Sequence, residues 1–197
     1  MRNLMAVGSM WCLLIAVTSL HAQQIDVAFG GGSLVAPTTA TTFSGSSASL
    51  NGGAYLGFSG DFLIKRNLGA EAEVFWRASQ GSYASQSYRP IFWAFNGIYA
   101  PRFNKRFGAE VLAGIGAENL RLYQGSFNCD IYGNCSNYIS STHFMADFGG
   151  GLKIYAYKSL FVRPEMRLYL INNNVEFVSG RAFRYGASIG YTFGGTK

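Results

Sequence analysis

Beyond the first 22 residues the chain carries one histidine, His143, flanked by Ser140, Ser141 and Thr142 and followed by Asp147. Ser–His–carboxylate chemistry would require the imidazole to take the hydroxyl proton while the carboxylate orients the ring. Two cysteines, Cys129 and Cys135, are separated by five residues that include Gly133. In an oxidising compartment they are expected to form a disulfide, because the surrounding segment reads as polar, Tyr- and Asn-rich loop. One histidine and one disulfide do not supply the converging ligands a metal needs, so neither metal nor cofactor is expected. Gly114-Ile115-Gly116 is a weak echo of a nucleotide fingerprint, but it sits inside a strand pattern, where glycines that admit close packing are the plainer reading.

The remaining chemistry-bearing residues are charges and polar groups at alternate positions. Asp26, Asp61, Glu71, Glu73, Arg77, Glu110, His143, Asp147, Lys153, Arg163, Glu165, Arg167 and Arg184 read as one inward face. An isolated charge in a narrow lumen is costly, so these groups are expected to pair as a structural salt-bridge ladder. A turn centred on residue 157 would set Asp147 opposite Arg167 and Gly149 opposite Glu165. The sharper reading of the same charges is a gated ion path, although eight strands leave an interior filled by side chains.

The first residues are set apart from these elements. Arg2 precedes an uncharged apolar stretch from Leu4 to Leu20, and Leu20-His21-Ala22 offers a small residue for cleavage. Residues 1–22 are therefore expected to be a cleavable signal peptide and 23–197 a single domain. Ser9-Met10-Trp11 before Cys12 does not form a lipobox. After Ala22 no uncharged apolar run approaches the ~20 residues of a spanning helix, so a membrane would have to be crossed by strands. Charged residues make up 13% of the chain, about half the usual share for soluble domains, while aromatics reach 16%. Without Arg2, 15 basic residues face 10 acidic ones. That excess suits anionic lipid head groups and is too dispersed to indicate nucleic acid.

Strand periodicity is clearest near the C-terminus. Phe183, Tyr185, Ala187, Ile189, Tyr191 and Phe193 share one face, and Arg184, Gly186, Ser188, Gly190 and Thr192 the other. The same alternation predicts eight strands, near 24–33, 52–64, 68–78, 91–100, 106–118, 142–156, 160–171 and 181–193. Short connections at 65–67, 101–105 and 157–159 alternate with long ones near 34–51, 79–90, 119–141 and 172–180, as the two ends of an outer-membrane barrel do. The fold class is thus all-β, an eight-stranded antiparallel transmembrane barrel. Aromatics at the ends of the apolar face, Trp76, Trp93, Tyr99, Phe107, Phe183, Tyr191 and Phe193, suit interfacial girdles. Alternation alone leaves the sidedness open, since a soluble lipocalin-like barrel shows the same period with an apolar interior.

Everything after Ala22 resembles the small outer-membrane barrel families typified by the OmpA transmembrane domain and OmpX. In those families the last strand ends in an aromatic residue and serves as the assembly signal; Gly186, Ile189, Tyr191 and Phe193 match it, with Gly194 to Lys197 extending past the usual end. Gly149 to Lys153, followed by Val162-Arg163-Pro164-Glu165, resembles the penultimate hairpin. The resemblance implies the bacterial outer membrane, contact with membrane lipid and lipopolysaccharide, and handling by the barrel assembly machinery. Some eight-stranded barrels are lipid A deacylases or palmitoyltransferases, but their His-Ser-Asn spacing is absent, so a non-enzymatic role is expected. That role is support of external loops for envelope integrity or surface adhesion; a narrow solute channel and a soluble periplasmic binding barrel are the alternatives. Loop 119–141, with Arg121, Tyr123, Phe127, Tyr132 and Tyr138 around the cysteines, reads either as a recognition surface or as a loop whose small disulfide merely limits fraying and proteolysis. In either case removal of 120–140 is expected to leave the barrel folded.

Overall fold

The computed structural model describes residues 24–36, 51–65, 67–83, 86–129, 133, 135–172 and 180–194. The expected signal peptide, 1–22, lies outside them. The strands are β1 (Gln24–Val35), β2 (Ala54–Lys65), β3 (Leu68–Arg77), β4 (Gly81–Tyr83), β5 (Gln86–Tyr99), β6 (Phe107–Cys129), β7 (Cys135–Tyr157), β8 (Leu160–Ile171) and β9 (Arg181–Phe193). All neighbours are antiparallel, β1 pairs with β9, and β3 pairs with β5 past the short β4. Eight long strands therefore close into a ring with no free edge, which satisfies every ladder as a span through hydrocarbon requires.

Sidedness is settled by exposure. Trp93, Ile115 and Tyr191 are 43%, 58% and 48% exposed, whereas Glu73 and Arg167 retain 8% and 1%. The apolar face is the outer one, and this overturns the lipocalin-like alternative, whose oily residues would fill the centre. Seven expected girdle aromatics lie on the outer wall; Trp76 is half-buried, packed 5.9 Å from Phe58, and the other six are well exposed.

Inside, three layers follow one another along the axis. Toward the short turns lie Leu63, Ile98, Ala100 and Leu112, with Ala28, Tyr155 and Phe161 beside them. The middle is ionic. Toward the long connections the lumen is filled by Leu34, Tyr55, Phe75, Tyr88, Phe92, Leu120, Met145 and Tyr169, with Phe92 and Tyr169 stacked at 5.3 Å. Small residues let neighbouring strands approach: a Cβ at Gly116 would fall 1.9 Å from the Trp93 carbonyl oxygen, and one at Gly114 2.1 Å from that of Phe95. Gly114-Ile115-Gly116 is therefore a packing feature of β6, as its strand context predicts.

Three expectations are corrected. The long connection foreseen at 79–90 contains β4, which folds back on the start of β5 through Gly81 opposite Tyr88. The loop foreseen at 119–141 is mostly strand, because β6 and β7 each run 23 residues, and the 9–11 that a tilted strand needs to cross a membrane are far exceeded. Leu120, Leu122, Tyr123, Tyr138 and Ile139 are strong strand formers, which explains the continuation. The third correction is register. The β7–β8 turn is the pair Lys158-Ser159 with Lys158 at φ 46°, preceded by an irregularity between Tyr155 and Tyr157, so Asp147 faces Tyr169 and Gly149 faces Arg167. A two-residue slip preserves the face, and the charges still point inward.

Candidate functional site

The middle layer is assembled from all eight long strands. On β7, Lys153 places its Nζ 2.7 Å from Asp26 Oδ2 of β1, 2.7 Å from Asp61 Oδ2 of β2 and 3.0 Å from Glu110 Oε2 of β6. Arg163, on β8, forms ion pairs with Glu110 Oε1 at 2.9 Å and Glu165 Oε2 at 3.0 Å, and its Nη2 donates to Ser59 Oγ at 2.7 Å. Four residues along, Arg167 grips both oxygens of Glu71 at 2.9 and 3.0 Å and also meets Glu73 and Asp147, each at 3.0 Å. Arg184 of β9 holds Glu73 in a two-pronged contact at 2.8 Å and reaches Glu165 at 2.8 Å. Its guanidinium lies 3.7 Å from the Phe75 ring centre, where the ionic layer meets the aromatic one.

These four cations are all at most 3% exposed, and each bridges carboxylates from at least two other positions of the ring. Multidentate arginine contacts of this kind fix geometry as well as charge, because the planar fork matches a carboxylate. Glu71, Glu73, Glu110, Asp147, Lys153, Arg163, Glu165, Arg167 and Arg184 are thus brought together. Arg77 is not among them: it sits half-buried at the end of β3, donating to the Tyr88 hydroxyl.

Sequence reasoning missed three members of this layer, Asn96, Ser59 and Ser188, the two serines bonded to Arg163 at 2.7 and 3.1 Å, and outside the layer it missed Glu118. Asn96 donates to Glu71 at 2.9 Å and to Asp147 at 3.0 Å. Its signal was present, since it is the polar residue in an inward row that otherwise reads Tyr88, Pro90, Phe92, Ala94 and Ile98. Glu118, fully buried on β6, lies directly across the ladder from His143. His143 itself is half-buried with its Nε2 2.9 Å from Ser141 Oγ. The carboxylate expected to serve it, Asp147, is committed to Arg167 and Asn96 and lies four residues, about 13 Å, along the strand.

Above the barrel β6 and β7 continue as a two-stranded ribbon. From Cys135 to Phe144 no residue of β7 is buried on either face. Register slips between Tyr123 and Asn128, and the ribbon closes where Cys129 faces Cys135 in a disulfide. Arg121 lies 5.2 Å over the Tyr138 ring, and Tyr123 packs 6.1 Å from Tyr138. Of the aromatic residues foreseen on this element, Tyr132 and the side chain of Phe127 lie outside the described residues. Leu120 is fully buried in the upper core and Leu122 packs against it, so removing 120–140 would cut into the barrel, contrary to expectation.

A closed ring of eight antiparallel strands with an apolar outside and an ionic inside has counterparts among solved structures. The N-terminal barrel domain of Pseudomonas aeruginosa OprF covers 87% of this chain and 98% of its own, at 13% identity and TM-score 0.56. The fold is that of small outer-membrane β-barrels. Neisserial surface protein A matches over 86% of this chain and 96% of its own, at 11% identity and TM-score 0.58. Ail, the attachment invasion locus protein of Yersinia pestis, solved with the heparin analogue sucrose octasulfate, matches over 86% and 98%, at 10% identity and TM-score 0.55. No family model and no curated relative matches the sequence.

Proposed function

We propose that the protein is an integral barrel of the bacterial outer membrane that carries no catalytic machinery and serves as a rigid base for external elements, chiefly the β6–β7 ribbon. The observation that carries this reading is the combination of an apolar outer wall with a lumen whose cross-section is filled. Arg163, Arg167, Arg184, Tyr55, Tyr88, Tyr169, Phe92 and Phe161 are all buried to within 2% of completely. A wide pore has no room there, and the charges act as a brace rather than a path. The ribbon offers arginine and tyrosine side chains beyond the membrane, a mixture suited to recognising a surface ligand, including lipopolysaccharide sugars or a host glycan. The C-terminal Gly186, Ile189, Tyr191 and Phe193 lie on β9 at the seam with β1, which suits a segment that the assembly machinery would engage before closure.

Expressing cells are fractionated, and the membrane fraction is run on gels with and without boiling. The barrel is expected in the outer-membrane fraction, migrating anomalously until boiled; recovery in the aqueous fraction would sink the membrane reading. Planar bilayers are expected to show no reproducible conductance, whereas steady unitary currents would favour the channel. Replacing His143 by Asn is expected to leave lipid A unchanged by mass spectrometry, and a lost modification would establish an enzyme.

A further inference from the structure

The two ends of the barrel differ in charge. Around the short turns, residues 62–70, 99–109, 154–162 and 189–197 contain no Asp or Glu, while Lys65, Arg66, Arg102, Lys105, Arg106, Lys158 and Lys197 all occur there. At the opposite end the cations Arg77, Arg89, Arg121 and Arg181 share the chain with Asp130 and Glu176.

Four cations of the short-turn end are described. Arg102 is used internally: its Nη2 donates to the Lys105 carbonyl at 3.1 Å, and its guanidinium covers the Tyr155 ring at 3.9 Å. Asn104 closes the same turn by accepting from the backbone amides of Arg106 and Phe107 at 2.7 and 2.8 Å. That leaves the side chains of Lys105 and Arg106 in solvent, and among the described residues neither meets a carboxylate. Lys158 caps the β7–β8 turn with its Nζ 5.3 Å from the Tyr157 ring. Phe103 and Tyr157, 67% and 68% exposed, flank these cations.

Height selects the partner. Lys158 directly follows exposed Tyr157 and stands two residues before Leu160 of the apolar wall, so its stem leaves the wall within about 7 Å of the hydrocarbon edge. Lys105 and Arg106 adjoin Phe107 just as closely. Cations at that level, each beside an exposed aromatic ring, lie within the head-group layer. We infer that the short-turn end is a basic collar that binds the phosphates of anionic phospholipids in the periplasmic leaflet, enriching them around the barrel. The inference rests on the membrane reading above, with the short turns facing the periplasm.

The full mature barrel is reconstituted in phosphatidylcholine bilayers containing trace spin-labelled phosphatidylglycerol or spin-labelled phosphatidylcholine, and the motionally restricted fraction of each label is measured. Enrichment of the glycerol lipid on the order of threefold to fivefold is expected, falling as salt is raised. Combined Lys105→Gln, Arg106→Gln and Lys158→Gln substitutions should abolish most of it, and Arg89→Gln with Arg121→Gln should not. Equal restriction of the two lipids, or loss of enrichment only in the Arg89/Arg121 variant, overturns the collar. So does a triple variant that loses co-sedimentation with purified peptidoglycan while keeping its lipid preference. Anomalous gel migration before boiling is recorded on each sample, because its absence in the unsubstituted protein would refute the membrane barrel itself rather than the collar.

Discussion

The same two strands behave differently in their two halves. From Phe107 to Glu118, and from Met145 to Tyr157, β6 and β7 are built into the barrel wall, and their inward residues meet partners across the lumen. Glu110 meets Lys153 and Arg163, and Asp147 meets Arg167 and Asn96. Beyond Leu122 and Ser140 the ladder continues, but no residue of β7 there is buried. Backbone pairing is common to both halves, so it does not explain why one is braced and the other stands free. The difference lies in what the side chains reach, and an isolated two-stranded ribbon is marginal in water without such support.

If lumen contacts are what hold the lower half, removing one cation should have the largest effect. Arg167→Met leaves Asp147 without its cation, Glu71 with only the longer 3.5 Å contact to Arg163, and Glu73 with Arg184 alone. A loss of about 3–5 kcal/mol is expected, because breaking a buried pair strands the remaining charges. Urea titration of the refolded barrel, followed by the fluorescence of Trp76 and Trp93, measures it. A change smaller than about 1 kcal/mol would show that the ladder alone carries the wall.

The aromatic layer should lose somewhat less and should forgive a substitution that the ionic layer does not. Phe92→Ala opens space beside Tyr55 and Tyr169 and is expected to cost about 3 kcal/mol in the same titration. Phe92→Leu, which restores much of the volume, should bring the loss down to about 1 kcal/mol. Near-equal losses for the two variants would mean that ring stacking, and not filled volume, holds this layer.

These layers were unequally legible in the sequence. Alternation around Glu71, Glu73 and Arg184 assigns the inward face by parity alone, and a register error of two residues leaves that assignment intact. Which carboxylate meets which cation was not legible, because Lys153 reaches Asp26 and Asp61 across the lumen, over separations of 127 and 92 residues. The aromatic layer was harder still. Tyr55, Tyr88 and Phe92 have the same composition signal as the outer girdle, and only their parity with Ser59, Asn96 and Asp61 marks them as inward. The ribbon was misread as loop because its polar residues, exposed on both faces, obey no period of two. Without a lipid face or a lumen, nothing imposes that pattern.

The smallest effect on the barrel should come from the ribbon tip. Cys129 and Cys135 are joined at the end of the ribbon, neither belongs to the lumen core, and the cross-link closes a short loop. Constraining a few residues removes little entropy from the unfolded chain compared with a long-range link. Replacing both cysteines with serine should therefore shift the urea midpoint of the barrel by less than about 0.5 kcal/mol equivalent, as a surface change does. The ribbon itself has no buried face to fall back on, so trypsin should cut after Arg121 faster in the serine variant than in the parent under native conditions. Equal cleavage rates would mean that backbone pairing suffices above the membrane. A large drop in barrel stability would mean that the two halves of β6 and β7 are coupled, and the contrast between them would fail.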